Sequence, residues 1–253
     1  MRLLLIVLFG LAQARACRPG PTASDETERP DEQTADAAEH AMSVTMAEDL
    51  HMRLTTLRPR APGDSARAAA ILATMRSELA RYHDIEVARA DGFRQFIPGG
   101  AAPVQHYTKL RWAMQARTRL DPSRPSSLLY KKAADGRLEL VGAMFTAPAG
   151  APEDELDARL PLSVTRWHQH VNWCTPRVGP RMGERWRETK DGHPVFGPRS
   201  PIATREACDA VGGRFRPRLL GWMVHVMAFA GDDPAVIWGA GGGASHQHAE
   251  HMH

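Results

Sequence analysis

The sequence predicts an α+β fold, an N-terminal helical segment followed by a mainly antiparallel β-sheet closed into a small barrel or sandwich. Three observations carry this. Ala68, Ile71, Leu72, Met75, Leu79 and Tyr82 recur at helical spacing and form one apolar stripe. From residue 93 onward the apolar runs shorten to strand length and are separated by turn residues. Two such runs, 126–132 and 137–146, flank Ala134, Asp135 and Gly136, a strong hairpin signal. The 253 residues, 43% of them hydrophobic, leave room for one large domain with tails. The 19 prolines and 21 glycines indicate many loops.

Residues 1–16, MRLLLIVLFGLAQARA, have the features of an export signal: Arg2, a short apolar core, and a small-x-small site ending at Ala16. Cleavage there would remove Arg2 and Arg15 and lower the formal charge from +3 to +1. The next residue, Cys17, is a candidate for lipidation, although Ala14 and Arg15 depart from the usual lipobox pattern. Residues 17–40 are rich in acidic residues, Pro, Ser and Thr and nearly free of large apolar groups, so they read as a disordered tether. Residues 41–239 form the predicted domain. Its first stretch clusters Met42, Met46, His51 and Met52 just after His40. Thioether with imidazole suits copper, and packing on an amphipathic helix is the simpler use of the methionines.

Asp64, following Pro62 and Gly63, is placed to cap the first helix. Residues 84–91 read as a second short helix ended by Gly92, with His83 turned to solvent. His106 lies in an extended run. Residues 148–161 read as a Pro- and acid-rich connection, and 177–200 as a long polar loop containing a solvated His193. Residues 204–211 read as a short helix with Glu206 in its first turn and Gly212–Gly213 after it. Residues 221–229, GWMVHVMAF, are the last strand. Residues 240–253 form a flexible tail carrying His246, His248, His251 and His253, and short His-rich tracts bind transition metals without a fold.

The chemistry concentrates in residues 166–176, RWHQHVNWCTP. In a strand, residues two apart share a face at about 6.6 Å, which puts His168, His170 and Asn172 on one side and Trp167, Val171 and Trp173 on the other. Two imidazoles at that spacing can converge on one ion through bonds of about 2.0–2.1 Å. His225 from a second strand makes three ligands, the minimum for an open site, and His106 is a fourth ligand or a supporting group. Met223 and Met227 fall on the face of His225 and favour copper over zinc. A hydrogen-bonded core is the plain alternative for each histidine taken singly. Of the three cysteines, Cys174 and Cys208 are expected to pair once export permits disulfides, although Cys174 is also a possible thiolate ligand.

The stretches HMRLTTLRP from His51, LLYKK, GRLELVGAMF, RWHQHVNWC, ATREACDAVGGRF and GWMVHV together resemble a family of exported bacterial proteins, over about residues 50–230. The resemblance implies export and a single domain, and implies no activity.

No clustered basic stripe with interleaved aromatics is present, which argues against nucleic acid as a partner. The chain contains neither H-E-x-x-H nor G-x-S-x-G. The expected function is transition-metal binding, with a copper or zinc ion sequestered or delivered in the periplasm or by an outer-envelope lipoprotein. The expected partners are the metal, an envelope protein, and the membrane only through a lipid on Cys17. The alternatives are a mononuclear metalloenzyme, oxidative with copper or hydrolytic with zinc, and an envelope structural protein without metal.

Overall fold

The computed structural model describes residues 50–96 and 102–239. The chain begins with a short strand, β1 (Met52–Leu54), then helix α1 (Asp64–Leu79), a 3₁₀ turn (Ala80–His83) and α2 (Ile85–Ala90). Strands β2 (Arg94–Gln95) and β3 (Val104–Thr108) lead to α3 (Leu110–Ala116). The hairpin β4 (Ser127–Lys132) and β5 (Leu138–Ala147) follows, then α4 (Glu153–Arg159) and β6 (His168–Thr175). The chain closes with α5 (Met182–Arg185), β7 (Thr189–Lys190), β8 (His193–Pro194), α6 (Arg205–Ala210), β9 (Arg214–Arg218), β10 (Trp222–Val226) and α7 (Pro234–Trp238).

The result is α+β, but the sheet is open, correcting the expectation of a barrel or sandwich. The eight-stranded sheet runs β1-β6-β10-β5-β4-β3-β2, with β9 also paired to β6. β1 and β2 stand at opposite edges and do not meet. Both are very short, which limits the unpaired backbone each edge presents. Every strand pairing within this sheet is antiparallel among the described residues, as the hairpin-rich sequence requires.

One face carries the main core. Tyr107, Leu128, Tyr130, Ala143, Phe145, Trp167, Trp222, Val224 and Val226 pack there with Ala68, Ile71, Met75 and Leu79 of α1. The predicted helical stripe is therefore the buried one. The Tyr130 hydroxyl donates to the Tyr82 carbonyl at 2.6 Å, and Arg76 of α1 donates to the carbonyls of Ala228 and Gly231. A bulge between β4 and β5 changes the pairing from Leu129↔Gly142 to Tyr130↔Leu140, leaving Val141 as the extra residue. Gly142 is required there, because a Cβ would run into the backbone of Val226 and Met227.

Several local expectations change. Asp64 is the first helical residue, with Gly63 at the cap; its carboxylate accepts from the Ala61 amide and the Ser163 hydroxyl, which holds it below the usual carboxylate range. Asp84 and Thr204 do cap their helices through their side chains. The 148–161 connection contains α4, which three acidic residues in its first turn favour. The polar 177–200 stretch contains α5 and the β7–β8 ribbon, and buries Val195 and Phe196. Helix α7, in a stretch expected to lie beyond the last strand, opens with Pro234 and closes at Gly239. The export signal, Cys17, the tether, His40, Met42, Met46 and the tail histidines lie outside the described residues.

Candidate metal centre

The opposite face of the sheet is unlike the first. Cross-strand partners share a face, so the register places side chains directly. Met52 pairs with His170, Met223 with His168, His225 with Met144, and His106 with Leu129. Leu129, Met144 and Met223 form a separate buried cluster with Val104, Val141, Leu220 and Met227 around it. This face is therefore built from imidazoles, thioethers and a few aliphatic groups.

The four imidazoles form a continuous row. Ring centroids are 5.9 Å apart for His170 and His168, 5.1 Å for His168 and His225, and 5.3 Å for His225 and His106. His106 stands three strand positions from His225, which on a flat sheet means about 14 Å between backbones. The coil of the sheet and the reach of two inclined side chains close that gap. The two Nε2 atoms end 3.3 Å apart. A tetrahedral ion with bonds of about 2.0–2.1 Å holds its nitrogens about 3.3–3.4 Å apart, so this pair already has the spacing of two ligands.

His168, His170 and His106 are buried, whereas His225, between His168 and His106 in the row, is half-buried. Nε2 of His168 and both ring nitrogens of His170 are buried without a hydrogen-bond partner among the described residues. Burial pushes the His168 imidazole down to about 4 and His170 to about 3, with neighbouring imidazoles adding to the shift. Both rings are thus neutral at physiological pH and keep their lone pairs. A buried polar atom without a partner costs about 1–3 kcal/mol, and a bound ion would remove that cost. Among the described residues, no three His, Cys, Asp or Glu side chains already converge in coordination geometry. Gathering a third ligand onto the His106–His225 pair requires the His168 ring to turn.

The strand alternation predicted for residues 166–176 breaks at Asn172. Its φ is 58°, a left-handed conformation that Asn tolerates better than most residues. Trp173 consequently stands edge-on to His170 at 5.3 Å, two rings that strict alternation would put on opposite faces. Asn172 is not on the histidine face as a donor; its amide reaches the Leu50 carbonyl at 3.4 Å. Beyond the break, Cys174 leaves the row and bonds to Cys208 of α6, with Cα atoms 5.4 Å apart. This disulfide removes Cys174 from the possible ligands. Gly213 makes room for it, since a Cβ there would overlap both sulfurs.

His51 is buried but differently engaged. Its Nδ1 lies 3.0 Å from the Asn172 carbonyl and its Nε2 2.6 Å from the Ser200 carbonyl. The ring pins the start of β1 to the break in β6 and to the 195–202 loop, and neither nitrogen is a ready ligand. His83 and His193 are exposed, as expected. Sequence reasoning missed Met144; the signal was its period-two relation to Thr146 in β5, obscured by the bulge at Val141.

No protein-family model matches the chain, and comparisons with curated proteins and with solved structures find no match. No helix among the described residues is long and apolar enough to cross a membrane.

Proposed function

We propose that this chain is an exported transition-metal-binding protein that holds copper, or failing that zinc, on the row His106, His225, His168 and His170. It would sequester the ion or pass it to a partner in the cell envelope, from the periplasm or from a lipid anchor on Cys17. The observation that carries this reading is the enclosed pair His168 and His170, whose unpartnered nitrogens adjoin two imidazoles already at ligand spacing. A purely structural core would leave that cost unrelieved.

Copper is preferred because Met52, Met144 and Met223 share the face, and soft thioethers with imidazole favour the cuprous ion. The half-buried His225 gives the ion a route in and out. The enclosed His168 and His170 are held neutral by burial and would bind without first releasing a proton.

The test measures copper and zinc bound by protein lacking residues 244–253, with and without His225→Ala and His170→Ala. The expected result is one tightly held ion per tail-deleted chain, weakened at least about tenfold by either substitution. Loss of all binding on tail deletion, with His170→Ala harmless in the full chain, would overturn the reading.

A further inference from the structure

A second feature lies at the β1 edge, away from the imidazole row. A cleft of about 550 Å³ is lined by Met52, Arg53, Gln169, Val171, Asn172, Pro217 and Arg218. Arg53 pairs across strands with Gln169, and Arg218 with Val171, so all four side chains belong to the sheet face opposite the histidines. Both arginines are exposed, and neither is paired with a carboxylate among the described residues. Arg53 rests over the Trp222 ring at 5.0 Å, and Arg218 makes only a long contact of 3.5 Å to the Ala149 carbonyl. Two unpaired guanidiniums over one cleft make an oxyanion-binding arrangement.

Gln169 adds a more specific feature. It is fully buried, and its amide nitrogen donates to the carbonyls of Ala149 at 3.3 Å and Leu220 at 3.1 Å. Turning the amide over would set its oxygen against both carbonyls, so the orientation is fixed. Oε1 is then left without a donor among the described residues. An unserved acceptor on a residue that lines the same cleft as two arginines selects an anion that carries its own hydrogen.

We infer that this cleft binds a hydroxyl-bearing oxyanion, of which hydrogen phosphate is the simplest member, with its charged oxygens on Arg53 and Arg218 and its hydroxyl donating to Gln169 Oε1. Sulfate has the same shape and charge and no hydrogen, so it would leave Gln169 unserved. A buried acceptor left unpaired discriminates strongly between otherwise similar ligands.

The test titrates phosphate and sulfate separately into the full chain near pH 8, where the hydrogen phosphate dianion predominates, following backbone amide shifts by NMR. Phosphate should move the amides of residues 52–53, 169–172 and 218 and bind roughly tenfold or more tightly than sulfate, the worth of one hydrogen bond to a buried acceptor. Arg218→Ala and Arg53→Ala, both at exposed positions, should each weaken phosphate about tenfold or more while preserving the fold. Gln169→Leu should erase the preference over sulfate. Equal affinity for the two anions, shifts located elsewhere, or phosphate binding indifferent to both arginine substitutions would overturn the assignment. None of these outcomes depends on metal at the histidine row.

Discussion

The two faces of the sheet solve the problem of burial in opposite ways. The α1 face fills its space with Phe145, Trp222 and aliphatic groups, which gain by leaving water, although the buried Trp167 Nε1 has no partner among the described residues. The other face buries His168 and His170 at the cost of ring nitrogens that no group among the described residues serves. Adjacent residues of one strand show the divide: Phe145 faces the core, whereas Met144 faces His225. A protein selected for stability alone would have placed leucine at His170. Buried polar groups that break local rules without compensation mark the places where function overrides stability.

The largest effect should come from the apolar face. Phe145→Ala removes a fully buried ring and should cost about 3–5 kcal/mol in chemical denaturation, with little change in metal affinity in whatever fraction remains folded. A cost below about 1 kcal/mol would show that this face is not the main core.

Next is the Cys174–Cys208 bond, which fixes the far end of β6 to α6 and spans 34 residues. Its loss in Cys174→Ser/Cys208→Ser should lower stability by roughly 3–4 kcal/mol on the chain-entropy model. Peptide mapping under non-reducing conditions should find the two segments linked. Two free thiols in protein taken from the cell envelope would contradict the pairing.

A pH series separates the faces without mutation. His168 and His170 titrate at about 4 and about 3 in the fold, below the ordinary value of 6.5 for a free imidazole. As pH falls below about 6.5 the unfolded chain takes up protons that the folded chain refuses. Stability of the metal-free protein should therefore be full above about pH 6.5 and decline towards pH 3–4, by at most about 1.4 kcal/mol per pH unit for each histidine. His168→Leu/His170→Leu should flatten that decline. An unchanged slope would place the acid sensitivity elsewhere.

The smallest effect is the most diagnostic of the contrast. His170→Leu replaces two unpartnered buried nitrogens with carbon, so the metal-free protein should be no less stable than the parent, and by up to about 1–2 kcal/mol more stable. The same variant should lose the rise in melting temperature that copper gives the parent. Strong destabilisation would mean that His170 is a satisfied structural residue.

Much of this division was legible in the sequence. The α1 stripe, the hairpin around Gly136 and the period-two histidines each follow one backbone periodicity, and each was recovered. What escaped depends on departures from periodicity or on long-range geometry. The left-handed Asn172 and the extra Val141 each shift alternation by one, and so misplace Trp173 and hide Met144. The meeting of His106 with His225 depends on the coil of a sheet whose strand order no local pattern encodes. The openness of the sheet was missed for the same reason, because closure is a property of β1 and β2 at opposite edges. The Arg53–Arg218 cleft joins residues that only the pairing of β6 with both β1 and β9 brings together.

The central claim is that the enclosed His168 completes a metal site with His106 and His225. Long-range ¹H–¹⁵N NMR of the side-chain rings, on protein lacking residues 244–253 and with one equivalent of cuprous ion, tests it most directly. The account predicts that the Nε2 resonances of His106, His225 and His168 move together to metal-bound values, while those of His83 and His193 stay in place. Unchanged resonances for all three, with copper left in solution, would contradict it.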